Sequence, residues 1–222
     1  MLALVLSTPA LLPGLLARSG LAAATATELR TLLIDAVTAG STPDASRADA
    51  LIQELADARV PFRSELLGSS ASESAIVSSP AAESPLWRAC YSSGRTPRWE
   101  RNAKALGNLF ENRAGQAYDA RAQRVCNYGE VLGKSCYFTA EGSFSAVDDV
   151  RRCPKDFDVA IERGGLVLLG KPFVSSAISG PGYLRVLYLD EELRVFESPT
   201  SSPDRWEEAG LRVVQIRERN FE

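Results

Sequence analysis

Whatever chemistry this chain performs, it performs without histidine. That absence removes imidazole general-base catalysis, Ser-His-Asp and Cys-His arrangements, and zinc sites that need an imidazole ligand. Carboxylates, cations and thiols remain. The acidic clusters Asp148-Asp149, Asp190-Glu191-Glu192 and Glu207-Glu208 each fall where a solvent-facing turn is expected. Adjacency alone does not supply the opposed carboxylate geometry of glycoside hydrolysis. Cys90, Cys126, Cys136 and Cys153 are unevenly spaced and form no C-x-x-C. They read first as small buried strand residues, ahead of a disulfide framework with three possible pairings or a four-thiolate zinc site. Gly180 and Gly182 lack the third glycine of a dinucleotide cradle and lead into a strand instead of a helix N-terminus. No catalytic residue and no metal ligand is assigned.

The charged groups with the most suggestive spacing are Asp190 and Arg194, four residues apart across a tight turn, where their side chains are expected to meet and pin a hairpin. The turn sits in residues 183–197, YLRVLYLDEELRVFE, two short strands folded about Asp190-Glu191-Glu192. Only Arg185 interrupts the first arm, so that arm is expected to be covered on nearly both faces. Upstream, Phe157, Val159 and Ile161 alternate with Asp158, Ala160 and Glu162, and Arg163-Gly164-Gly165 is expected to turn the chain into residues 166–169. Counting from Trp87, strand-like runs occupy residues 86–92, 118–127, 135–144, 157–162, 166–169, 173–179, 183–189, 193–197 and 211–217. Eight or nine short strands with short connections favour antiparallel neighbours. They predict a closed or nearly closed β-barrel over residues 86–217, wide enough for one ligand.

The front of the chain has helical spacing. Leu29, Leu32, Leu33 and Ala36 recur at three, four and seven, and Gly40-Ser41-Thr42-Pro43 stops them. Asp44 or Ser46 can cap a second helix whose stripe is Leu51, Ile52 and Leu55. Helices over residues 28–38 and 46–58 are therefore expected outside the barrel or across one mouth. Residues 64–85, rich in serine, read as a linker; Leu106, Leu109 and Phe110 hint at a further helix. Residues 1–27 carry a single charge, Arg18, with Pro9 and Pro13 breaking an apolar run too short to span a bilayer. Small-residue sites at Ala22-Ala23-Ala24 and Ala24-Thr25-Ala26 predict a targeting or presequence remnant, a helix of the mature protein being the alternative. One domain over residues 28–218 follows, with helices in 28–60, linker 64–85 and barrel 86–217. A net charge of −3 argues against nucleic acid as a partner.

Residues 180–199, GPGYLRVLYLDEELRVFESP, resemble the near-terminal block of the plastid lipid-associated proteins, also called plastid fibrillins. The family pattern G-x-L-x-x-x-Y-L-D-x-x-L-R is met by Gly182, Leu184, Tyr188, Leu189, Asp190, Leu193 and Arg194. Trp206 and residues 213–217 look like its closing segment, and Trp87 to Ser92 has the form of its W-x-x-x-Y-S strand. The two N-terminal helices match more loosely. The resemblance implies a mainly β fold, a lipocalin-like antiparallel β-barrel with two or three N-terminal amphipathic helices. It implies non-catalytic binding or organisation of isoprenoids, carotenoids, prenylquinones or acyl lipids at thylakoids or plastoglobules, with no cofactor beyond a bound lipid and no transmembrane span. It also implies that Asp190 and Arg194 form an acidic–basic pair. Arg194 is then either a hairpin pin or a cavity-facing donor to a carboxylate or quinone oxygen. Tyr188 and Trp87 are the other ligand-binding or hairpin-pinning candidates. A structural or scaffold protein at a lipid surface, or an assembly partner of a photosynthetic complex, with no ligand in the barrel, is the competing expectation. A filled interior would favour it.

Overall fold

The computed structural model describes residues 13–68, 86–94, 113–199 and 209–221. Its first helix, α1 (Pro13–Thr38), begins on a proline, whose fixed φ suits the first helical position. It ends where Gly40 adopts a φ of 62° and the Ser41 amide donates back to the Ala36 carbonyl at 2.9 Å. The helix α2 (Ala45–Ala58) is capped by Asp44, whose Oδ1 accepts from the Arg47 amide at 3.1 Å. Leu29 and Leu33 of α1 and Leu51, Ile52 and Leu55 of α2 are buried, each contributing about 1.5–3 kcal/mol relative to exposure. The helical pattern begins well before Glu28. Ala22 and Ala26, expected to fall in a presequence remnant, sit in the same apolar cluster as Leu29 and Leu51. The periodicity was hidden because alanine gives a helix face without giving it a conspicuous stripe.

Eight strands follow: β1 (Trp87–Gly94), β2 (Ala114–Asp119), β3 (Arg124–Glu130), β4 (Cys136–Ala146), β5 (Lys155–Leu168), β6 (Lys171–Leu189), β7 (Leu193–Pro199) and β8 (Ala209–Arg217). Each pairs antiparallel with the next, and β1 pairs with β8, so the sheet runs in a ring. The count of eight is reached with different boundaries from those expected. The expected strand 118–127 is two strands, β2 and β3, folded about residues 120–123, where Gln123 has a φ of 55°. The two expected hairpin arms at 157–162 and 166–169 are one strand, β5. Gly164 and Gly165 do not turn the chain; a Cβ on either would come within 3.0 Å of Ile178 Cδ1 or Thr139 Oγ1, so they allow close packing instead. The turn falls at Leu169-Gly170, with φ values of 51° and 74°. Likewise 173–179 and 183–189 are one nineteen-residue strand, β6. The turn at Asp190-Glu191-Glu192 is where it was expected. The expected helix at Leu106, Leu109 and Phe110, most of the serine-rich linker, and Trp206 lie outside the described residues.

Alternation divides the sheet into two faces. Leu187, Tyr188, Leu193, Val195, Val214 and Ile216 face outward and pack under α1 and α2. Trp87, Tyr118, Val125, Phe144, Phe157, Leu184, Val186, Phe196 and Val213 form a separate inner cluster. Residues 60–68, which run from the end of the expected helical part into the first residues of the expected linker 64–85, close one end of the ring. The Cys153 amide donates to Val60 O at 2.9 Å, the Phe62 amide to Arg151 O at 3.0 Å, and the Ala120 amide to Gly68 O at 2.9 Å. Leu67, in the short 3₁₀ turn Ser64–Leu67, is buried in the inner cluster.

Candidate functional site

The closed end of the ring is filled by aromatic side chains around a cation. Trp87 donates its indole N–H to Leu67 O at 2.9 Å, and the Arg217 guanidinium stacks 3.7 Å from its ring centroid. Burial pulls the pKa of Arg217 down to about 10, with Arg219 adding repulsion. Tyr118, Phe144, Phe157 and Phe62 form a chain of edge and tilted ring contacts with centroids 5.4–5.8 Å apart. Arg194 lies among them at 0% exposure. Its Nη1 donates to Gln116 Oε1 and to Gln215 Oε1, both at 2.6 Å, and its guanidinium stands 4.6 Å from the rings of both Tyr118 and Phe196. Gln116 also accepts from the Tyr118 hydroxyl at 2.8 Å and donates to Asn127 Oδ1 at 2.7 Å. Burial lowers the pKa of Arg194 and raises that of Tyr118. The charge is held by two rings and two amides, with no carboxylate pairing it among the described residues. Its Nε and Nη2 have no hydrogen-bond partner among the described residues.

The four residues singled out from the sequence separate into two places. Trp87 and Arg194 line the interior. Tyr188 and Asp190 belong to the outer face and its turn. Asp190 Oδ1 accepts from the amides of Glu192 and Leu193, both at 2.7 Å, and Oδ2 accepts from the Tyr188 hydroxyl at 2.9 Å. Asp190 therefore pins the hairpin by itself, and the expected Asp190–Arg194 pair is not formed. The reason is parity. Arg194 lies directly across from Leu189 in the β6–β7 register and shares its inward face, while the Asp190 carboxylate folds back over its own turn. Burial and the Asp190 charge both raise the pKa of Tyr188, which keeps its hydroxyl a donor. Sequence reasoning missed Gln116 and Gln215. Gln215 had a signal, a lone amide between Val214 and Ile216 in a strand buried on both faces.

Toward the opposite end the same inner face is uncovered. Phe138 pairs with Leu166, and Leu166 with Val174, placing three apolar side chains abreast on β4, β5 and β6. Phe138 is on the face of Phe144, six residues along an unbulged strand. Leu168 pairs with Cys136 on this face, and Ile178 lies over Gly164. Phe138, Leu168, Val174 and Ile178 are 40–54% exposed. The wall is apolar apart from Ser176, which pairs with Gly164, and it faces solvent.

Several other charged groups are occupied structurally. Arg113 pairs with Glu130 and Glu218, and Glu130 also accepts from Tyr128. Burial opposes the charge of Glu130, but Arg113 and Tyr128 outweigh it and hold the carboxyl below its ordinary range. Arg185 and Asp156 form a two-bond pair at 2.7 and 2.9 Å. The four cysteines are free, and burial pushes Cys90, Cys126 and Cys153 up to about 12, so none of these three is a thiolate at neutral pH. Among the described residues no cluster of three His, Cys, Asp or Glu side chains could hold a metal ion, and no helix is long and apolar enough to cross a membrane. No family model, curated protein or solved structure matches the chain.

Proposed function

We propose that the ring-like sheet is a lipocalin-like barrel whose uncovered inner wall binds or organises a hydrophobic lipid without turning it over. The setting we propose is a plastid, against a thylakoid or plastoglobule surface. The observation that carries this reading is the solvent-facing wall of Phe138, Leu166, Leu168, Val174 and Ile178 on an inner sheet face. Exposed apolar patches of this kind mark interaction sites, and a concave apolar face suits an isoprenoid, carotenoid, prenylquinone or acyl chain. The resemblance of residues 180–199 to the plastid lipid-associated proteins points the same way. Arg194 is fully buried at the filled end, so this reading places the ligand on the exposed wall and not on the guanidinium.

Native mass spectrometry of protein purified from its own organism, followed by organic extraction, tests the reading. A stoichiometric apolar ligand supports it. Ligand-free monomer after mild handling defeats it. The filled closed end, where Trp87, Tyr118, Phe144, Phe157 and Phe196 share one buried cluster and Tyr118 and Phe196 flank Arg194, favours one competing reading, a structural protein at a lipid surface with no ligand inside. Recovery of ligand-free monomer would favour that alternative.

A further inference from the structure

Two neighbouring loop tips at the open end carry a second apolar surface, outside the inner wall. Residues 131–135 join β3 to β4 and expose Leu132 and Lys134; Leu169-Gly170 joins β5 to β6 beside Lys171 and Phe173. The Leu169 amide donates to Ser135 O at 2.7 Å, so the two tips are one surface. Leu169 is 75% exposed and Phe173 67% exposed, the highest of the large apolar side chains in β5, β6 and their turn, and Leu132 is 45% exposed. The turn itself is an unfavourable place for leucine. Both of its central residues have positive φ, a conformation for which Asn-Gly or Asp-Gly is the least costly choice. Folding does not account for a leucine there.

The charge at this surface is of one sign. From Val131 to Ala140 and from Arg163 to Leu189 the sequence contains no aspartate or glutamate, although the chain as a whole is acidic, with a net charge of −3. Lys134 and Lys171 form no ion pair with any described residue and point into solvent beside the exposed leucines. Apolar side chains flanked by unpaired lysines are the composition that seats in a lipid headgroup layer. The chains enter the acyl boundary, and the ammonium groups stay among anionic headgroups.

We infer that the paired tips formed by Leu132, Lys134, Leu169, Lys171 and Phe173 dock the protein onto the surface of an anionic lipid layer. The open inner wall then stands next to the lipid from which a ligand would be drawn. This inference rests on the lipid reading proposed above and names the surface that reading would use.

The test is co-sedimentation of the full chain with vesicles of phosphatidylcholine alone and of phosphatidylcholine with about one third phosphatidylglycerol. The expected result is binding to the anionic vesicles, weakened by salt. A Leu169→Glu/Phe173→Glu variant is expected to lose at least tenfold in affinity. Lys134→Glu/Lys171→Glu is expected to lose at least about 25-fold, from roughly fivefold for each lysine charge removed near such a surface, before the added repulsion of the carboxylates. Circular dichroism and the thermal midpoint check that both variants fold; Leu169→Ser/Phe173→Ser serves as a milder second variant. Equal binding to neutral vesicles, full retention by the folded variants, or no binding by the wild type overturns the inference. A dimer dissociated by the same substitutions would assign the tips to a second copy and also overturn it. Ligand extraction reads the other proposal separately. Protein that carries an apolar ligand yet ignores vesicles defeats only the docking surface, and vesicle binding without a ligand defeats only the inner-wall site.

Discussion

At the end of the ring closed by residues 60–68, Trp87, Tyr118, Phe144, Phe157 and Phe196 fill the interior and bury a full guanidinium. At the other end Phe138, Leu168, Val174 and Ile178 present the same kind of side chain, on the same face, to water. The difference lies in what stands opposite. Near Trp87 all eight strands contribute side chains, and Leu67 is inserted from below. Toward Leu169, β5 and β6 reach beyond the paired length of β1 and β2, which share only two registered pairs. One apolar face followed along a long, twice-bulged hairpin thus produces a core at one end and an exposed apolar wall at the other. Stability is concentrated in the first, and surface available for binding in the second.

That contrast can be broken by substitution. Trp87→Ala has the largest expected effect. It removes a buried ring, its bond to Leu67 O and the platform for Arg217, and should cost about 3–5 kcal/mol in urea denaturation. A loss under about 1 kcal/mol would mean the closed end is not the stabilising half. Arg194 comes next. Arg194→Ala is expected to cost about 2–4 kcal/mol through a cavity and two lost amide bonds, whereas Arg194→Met loses the same two bonds but fills the cavity and should cost about 1–2 kcal/mol less than Arg194→Ala. Equal losses for the two variants would show that the charge itself holds this end together.

Asp190→Ala removes the acceptor for two amides and the Tyr188 hydroxyl and should cost about 1–3 kcal/mol, with the Arg194 environment unchanged. A change in near-ultraviolet circular dichroism from the interior rings would contradict the separation of the two residues. Acid should act through Glu130, whose folded pKa is depressed. Its contribution is complete above the unfolded glutamate value and is lost as pH falls through the lower folded value, that is, below about pH 4. A thermal-midpoint profile from pH 7 to pH 3 should therefore drop less steeply at its acid end in Glu130→Gln. Smallest of all, Leu169→Ser and Phe173→Ser should each change stability by no more than about 0.5 kcal/mol, since both side chains already face water. A larger loss would place them in a core and remove the contrast between the two ends.

The sequence made the antiparallel β-rich class, the two helices and the Asp190 turn legible, because each has a short-range signal. These signals were β-branched and aromatic runs, a three-four-seven stripe, and a three-residue charged break between two apolar arms. It misplaced the turn of the longest hairpin. Gly164-Gly165 looks like a turn and Leu169-Gly170 does not, although only the latter has the backbone conformation a tight turn needs. Of the candidate site, Trp87 and Arg194 were found and Gln116 and Gln215 were not, because a buried amide in a strand has no spacing rule.

Composition and periodicity by themselves determined that histidine chemistry is absent, that strands dominate from Trp87 onward, and that Arg194 follows a tight hairpin. Tertiary structure alone decided that Arg194 turns inward to two glutamines and two rings while Asp190 stays with its turn. It also decided that Ala22 and Ala26 belong to the core, and that one apolar face is covered at one end and open at the other. The physical reason is range. Turns, caps and stripes are settled by neighbours a few residues away. Which side of a closed sheet a residue faces depends on register accumulated over every preceding bulge, and what covers it depends on segments more than a hundred residues distant.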